Sequence, residues 1–158
     1  MAFQMLLNVL LAFMWMFLTV SFDPSTFIVG YVLGLIIIFA LRRFFHSRFY
    51  VIPFLALLKL LLIFLKELVL SNIAVLKVII KPKLDIQPGI FALPTQLTKD
   101  WEITMLANLI TLTPGTFVID ISEDNKTLYV HAMDVPDVQA AIEGIKNSFE
   151  KAIMEVSK

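Results

Sequence analysis

A single carboxylate, Glu67, stands in the stretch from Phe54 to Lys81, where Lys59, Lys66, Ser71, Asn72 and Lys77 are the other polar interruptions. Its neighbours at three and four residues, Ile63, Phe64, Leu70 and Ser71, supply no cation, so it has no obvious partner on its own helix. An ionisable group at membrane depth is a candidate proton or cation contact, or half of an intersubunit ion pair with Lys66 nearby. An interfacial carboxylate in water is the plainer alternative. A second candidate lies at Thr111, Thr113 and Pro114, where a helix must end and leave carbonyls free for a kink or a partner, or simply terminate. Lys66, Glu67, Asn72, Thr113 and Pro114 are therefore the ion-path or subunit-contact candidates.

Elsewhere the chemistry is thin. The two histidines, His46 and His131, fall in separate regions, and there is no Gly-rich phosphate loop, nucleotide fingerprint or metal-spaced cluster. With no cysteine, disulfides, thiol catalysis and Cys-ligated metal are excluded. Asp120, Glu123, Asp124 and Asp134 can gather near one end of a hairpin, although such acids usually make a solvated turn. The expectation is no enzyme, no cofactor, no metal and no nucleic-acid partner.

The elements that position these residues are legible from spacing. From Phe54 to Lys81 there is neither Pro nor Gly, which predicts one helix about 42 Å long at 1.5 Å per residue. Hydrocarbon is roughly 30 Å thick, and the lysines interrupt the run where a spanning helix is clean. At about 100° per residue, Lys59, Lys66 and Lys77 share one stripe. A mid-bilayer lysine costs roughly 2.5–3.5 kcal/mol, whereas one at headgroup level reaches water. That favours a helix in the interface, or steeply tilted to it, over a third span. Ile63, Leu70 and Ile73 lie within about 40° of the stripe, so the same face also suits packing on protein.

Phe3 to Phe22 has no ionised group and the length of a span, without the charged start and cleavage site of a signal peptide. Asp23, Pro24 and Ser25 make a tight turn, with Ser25 or Thr26 as N-cap. A second span follows, Phe27 to Leu41, with Gly30 and Gly34 at the spacing that lets helices approach closely. Arg42, Arg43 and Arg48 among Phe44, Phe45, Phe49 and Tyr50 mark a cytoplasmic boundary, which places the amino terminus inside too.

Past Pro82, Leu84 to Leu93 is a strand candidate bent at Pro88-Gly89, and Thr98 is a plausible N-cap for a helix around Trp101 to Leu112. Thr116 to Ile121 and Thr127 to Met133 alternate as a hairpin around Ser122 to Lys126. Phe117, Ile119 and Ile121 share one face, with Leu128, Val130 and Ala132 opposite. A last helix, starting near Asp134 or Asp137, carries Val138, Ile142, Ile145, Phe149, Ala152 or Ile153, and Val156. The expected fold is an α+β membrane protein: a helical hairpin over 1–49, a long membrane-associated helix over 50–83, and a cytoplasmic β-α-β-β-α domain over 84–158.

Charge follows this division. Up to Lys83 there are eight Lys and Arg against Asp23 and Glu67, giving +6; from Leu84 onward five basic face eleven acidic residues, giving −6. The basic part suits anionic lipid and the acidic part a solvated domain.

The run Leu106-Ala107-Asn108-Leu109-Ile110-Thr111-Leu112-Thr113-Pro114-Gly115-Thr116 resembles the MrpE (MnhE) component of the Mrp (Mnh) type multisubunit sodium/proton antiporter of bacteria. Lys66-Glu67-Leu68-Val69-Leu70-Ser71-Asn72, Lys81-Pro82, Pro88-Gly89-Ile90 and Tyr129-Val130-His131-Ala132-Met133-Asp134 match the same pattern, which covers nearly the whole chain. The resemblance implies a small plasma-membrane subunit of a hetero-oligomeric antiporter, partnered by other subunits and lipid. It also implies Na+ and H+ as the ions the complex moves, with pumping carried by larger subunits. A stand-alone membrane adaptor or sensor whose acidic domain binds a soluble partner, and a homo-oligomeric channel, are the alternatives that the residues alone leave open.

Overall fold

The computed structural model describes residues 2–45, 48–82 and 86–157. Its contacts divide the chain into two compact units, Met1–Phe54 and Leu55–Lys158. The division falls inside the long helix rather than at its ends, because Leu60, Ile63 and Phe64 of that helix pack into the carboxyl-terminal core.

In the first unit, α1 (Ala2–Thr19) packs along α2 (Pro24–Ala40). α1 buries Gln4, Asn8, Ala12 and Met16, and α2 buries Gly30, Gly34 and Ile38, each set recurring every four residues. The glycine spacing is thus spent on the hairpin itself. A Cβ on Gly30 would lie 2.8 Å from Trp15 Cβ and 2.9 Å from the Ala12 carbonyl oxygen, and one on Gly34 would clash with Asn8 Oδ1. α2 is capped by Asp23, not by Ser25 or Thr26: its carboxylate accepts from the Thr26 N–H at 2.7 Å and from the Ser25 hydroxyl at 2.6 Å. Pro24 explains the difference, since its fixed φ and missing N–H suit the first helical position. The helix therefore starts three residues before Phe27. Among the described residues α1 alone is long and apolar enough to cross a membrane; α2 is apolar but has 17 residues.

The second unit holds most of α3 (Val51–Ile80), then β1 (Gly89–Pro94), α4 (Asp100–Leu112), β2 (Thr116–Ile121), β3 (Thr127–Ala132), α5 (Val138–Ile145) and α6 (Lys151–Ser157). The strands form one antiparallel sheet in the order β1-β3-β2. β1 begins at Gly89, after Pro88, which has no N–H for a ladder; the expected start of the strand, Leu84 and Asp85, lies outside the described residues. The core gathers Phe91 and Leu93 of β1, Leu128 and Val130 of β3, Leu106 and Ile110 of α4, and Phe149 and Ile153 from the last helical segment. Each fully buried side chain of this size contributes roughly 1.5–3 kcal/mol.

The expected inner face of β2 is corrected by a bulge. Thr116 pairs with Ala132 and Val118 with Val130, then the register slips between Val118 and Asp120 so that Ile121 pairs with Leu128. The extra residue switches the side-chain phase. Val118 and Ile121 pack on the core, while Phe117 and Ile119 remain about half exposed with Ile90 and Tyr129 on the outer side.

The N-cap position of α4 is Lys99 rather than Thr98. A lysine side chain cannot accept, and Glu102 performs the capping instead: its Oε2 accepts from the N–H groups of Thr98 at 3.1 Å and Lys99 at 3.2 Å. Its other oxygen accepts from the Ser157 hydroxyl and from Lys99 Nζ at 3.2 Å, tying the end of α6 to the start of α4. Burial alone raises the Glu102 pKa, but these donors outweigh it and hold it at about 2 against an ordinary 4.5. A carboxylate depressed in the folded state stabilises above its unfolded pKa and loses that contribution as pH falls. The stability gap between wild type and Glu102→Gln is therefore expected to be full above pH 4.5 and to close towards pH 2. Urea midpoints of the full chain in detergent check this; an equal gap at neutral pH and near pH 2 contradicts it.

The last helix starts at Val138, with Asp137 accepting from the Ala140 N–H at 3.0 Å, so Asp134 is excluded as its cap. A single wide π turn over Lys146–Glu150 separates α5 from α6 and shifts the helical phase, which lets Ala152 and Ile153 both be buried.

Candidate functional site

The end of α4 explains the Thr-rich motif. Helix termini leave carbonyls without partners, and here hydroxyls take them: Thr113 Oγ1 donates to the Leu109 carbonyl at 2.7 Å, and Thr116 Oγ1 to the Ile110 carbonyl at 2.7 Å and the Thr113 carbonyl at 3.0 Å. Thr111 Oγ1 accepts from the Val118 N–H at 3.3 Å, bracing helix against strand. Pro114 stops the helix, and Gly115 turns the chain with φ of +91°, a conformation that side chains with a Cβ disfavour. The Gly115 carbonyl then receives the Met133 N–H at 2.8 Å. The end of α4, the start of β2 and the end of β3 thus meet at one turn.

Beside this turn lies a half-open cavity of about 290 Å³ that also reaches α3, the end of β3 and α5. Its walls are apolar: Phe91, Ile110, Ala132, Val135, Ile145 and Phe149. Its polar lining is Glu67, Thr113, Thr116, Asp134 and Ser148. The fold thus brings together two of the sequence-derived candidates, Glu67 and Thr113, which stand 46 positions apart in the chain.

The other candidates fall outside the lining. Lys66 Nζ lies 3.8 Å from Glu67 Oε1 with its side chain 70% exposed, a weak pair. Asn72 Nδ2 donates to the Leu68 carbonyl of its own helix at 2.7 Å. Pro114 acts as terminator. The acids are also divided. Asp120, Glu123 and Asp124 stand at the β2–β3 turn, where the Ser122 hydroxyl at 2.7 Å and the Lys126 N–H hold Asp124 below the usual carboxylate range. Asp134 stands at the opposite end of β3, in the cavity, and its Oδ1 accepts from the Gln87 N–H at 3.1 Å.

Sequence reasoning missed a polar cluster in the hairpin. Asn8 Nδ2 donates to the Tyr50 hydroxyl at 2.8 Å, the Tyr31 hydroxyl lies 3.0 Å from it, and Gln4 Oε1 accepts from the Tyr50 N–H at 3.0 Å. Gln4 and Asn8, four apart in an apolar run, were the available signal. It also missed Glu150, buried at the π turn, which accepts from Thr95 Oγ1 at 2.9 Å and the Gln96 N–H at 2.6 Å.

A family model described as Na+/H+ ion antiporter subunit matches residues 8–156. The chain belongs to the MnhE family. The E-type component of a Na(+)/H(+) antiporter from Bacillus subtilis is 58% identical over 158 residues, covering 100% of both chains. Among solved structures, a chain of the membrane-bound sulfane sulfur reductase, an archaeal respiratory membrane complex, aligns with TM-score 0.57 and 30% identity over 97% of this chain and 98% of that one. A chain of the Mrp complex from Dietzia sp. aligns with TM-score 0.50 and 27% identity over 62% of this chain and 92% of that one. The family match extends across the hairpin, α3 and the α+β domain alike.

Proposed function

We propose that the chain is a small subunit of a multisubunit monovalent cation/proton antiporter in the bacterial plasma membrane, where it supports assembly and Na+/H+ exchange and supplies no catalytic chemistry of its own. The observation that carries this reading is the end-to-end similarity to the MnhE-type antiporter component. Its surface is consistent with it. Along α3, Leu58, Leu61, Leu62, Leu65, Val69 and Leu76 are each 43–59% exposed, far more apolar surface than one solvated helix keeps bare. In an antiporter complex such a surface faces lipid and neighbouring subunits.

For topology we infer two spans, α1 and α2, with Arg42, Arg43 and Arg48 at the cytoplasmic boundary, α3 along that interface, and the α+β domain in the cytoplasm. Arg42 lies 4.6 Å over the Phe39 ring and Phe44 is exposed, a basic and aromatic border of the expected kind. Lys59 is not available to lipid alone, since it pairs with Glu155 of α6 at 2.6 Å. A cysteine replacing exposed Glu123 at the β2–β3 turn should react with an impermeant maleimide only after cells are permeabilised; labelling of intact cells refutes a cytoplasmic domain. For function, everted vesicles from an antiporter-deficient host carrying every other subunit should regain Na+/H+ antiport when this chain is added back. Equal antiport with and without it overturns the reading.

A further inference from the structure

The donors and acceptors of the cavity beside Thr113 specify what it can hold. The hydroxyl protons of Thr113, Thr116 and Ser148 are committed to the carbonyls of Leu109, Ile110 and Gly144. The other polar side chains in the lining, Glu67 and Asp134, are carboxylates. Among the described residues every polar side chain in the lining offers acceptors, and none is Lys, Arg, His, Asn, Gln or Trp. Lys66, outside the lining, reaches Glu67 only at 3.8 Å and is mostly in water. The described lining therefore suits an occupant that brings positive charge and N–H donors.

The walls narrow the choice further. Phe91, Val135, Ile145 and Phe149 reward a carbon stem, which a bare ion lacks. Among the described residues no group of three His, Cys, Asp or Glu is placed to hold a metal ion. A zwitterionic lipid headgroup would bring a phosphate to two carboxylates with no side-chain donor to receive it. A lysine or arginine side chain meets all of these conditions, and the −6 balance of the chain from Leu84 onward favours a basic partner.

We propose that this cavity is the docking seat for a basic side chain of another subunit, its alkyl stem against the apolar wall and its cationic head on Glu67 and Asp134. This rests on the reading of the chain as a complex subunit and deepens it by naming the chemistry of the contact. Glu67 and Asp134 then act as recognition residues, and the turn at Thr113 to Thr116 fixes the floor on which the stem lies.

The experiment uses the tagged full chain co-expressed with its partner subunits. In one arm, p-benzoylphenylalanine replaces Gly144, which lines the cavity and whose Cβ would meet nothing within 4 Å. Irradiation should cross-link one other subunit, at a peptide containing lysine or arginine. In the second arm, the isosteric double variant Glu67→Gln with Asp134→Asn should lower both the cross-link and recovery of partner subunits by about tenfold. Cross-links confined to the chain itself, to lipid, or to a peptide without a basic residue overturn the proposal, as does wild-type recovery by the double variant. If the wild-type chain itself recovers no other subunit, it is the reading as a complex subunit that fails.

Discussion

Gly30→Val is expected to unfold the amino-terminal hairpin at a markedly lower temperature than wild type. A Cβ there meets the Ala12 backbone at 2.9 and 3.0 Å and Trp15 Cβ at 2.8 Å, so relief requires α1 and α2 to separate rather than a side chain to swing aside. Overpacking of this kind costs about 1–3 kcal/mol, and two extra methyl groups place this variant at the upper end. Gly34→Val meets Asn8 instead, whose amide is held by Tyr50 at 2.8 Å, so it should cost the same close packing and the polar cluster as well. Gly144→Ala is the control, since its Cβ enters open space and an alanine is the better helix former by roughly 1 kcal/mol. Thermal unfolding of the full chain in mild detergent, followed by tryptophan fluorescence, checks the order. Equal melting of Gly30→Val and Gly144→Ala would show that the hairpin is not closed at its glycines.

The second large effect belongs to the turn after α4. Gly115→Val forces a β-branched residue into φ of +91°, a strain of about 1–3 kcal/mol. Thr113→Val strips the Leu109 carbonyl of its donor in a partly buried site, at about 1–3 kcal/mol. Because Thr111 and Thr116 join the same helix end to β2, the strain re-aims α4 against the sheet and distorts the floor of the cavity. Both variants, and Pro114→Gly, should lower Na+/H+ antiport in everted vesicles and subunit recovery severalfold more than Glu143→Ala on the exposed face of α5. Wild-type antiport and recovery in Gly115→Val and Thr113→Val would reduce the motif to a helix terminator.

The elements themselves were legible because each carries an uninterrupted local signal. The long helix lacks Pro and Gly from Phe54 onward, the hairpin alternates, and Thr113-Pro114-Gly115 punctuates α4. What escaped was decided by pairing. The β2 bulge, which brings Ile121 to the core face while Phe117 and Ile119 face outward, depends on which β3 residues are opposite, and no period within β2 announces it. The π turn at Lys146–Glu150 is likewise a response to packing, for it lets Phe149, Glu150, Ala152 and Ile153 all be buried. The lysine stripe read as a lipid anchor takes on a second role because Glu155, 96 residues later, comes to Lys59. Of the candidate site, Glu67 and Thr113 were visible as an isolated charge and a helix end. Their union with Asp134 and Ser148 needed the tertiary fold.

The central claim, that this chain works as one subunit of a multisubunit cation/proton antiporter, is tested most directly by what accompanies it out of the membrane. The measurement is affinity purification of the tagged full chain from its native membrane in mild detergent, with mass spectrometry of all polypeptides in the eluted complex. The expected result is recovery with several large polytopic membrane subunits in fixed ratio. Recovery of the chain alone, or with a soluble partner and no polytopic subunit, would contradict it.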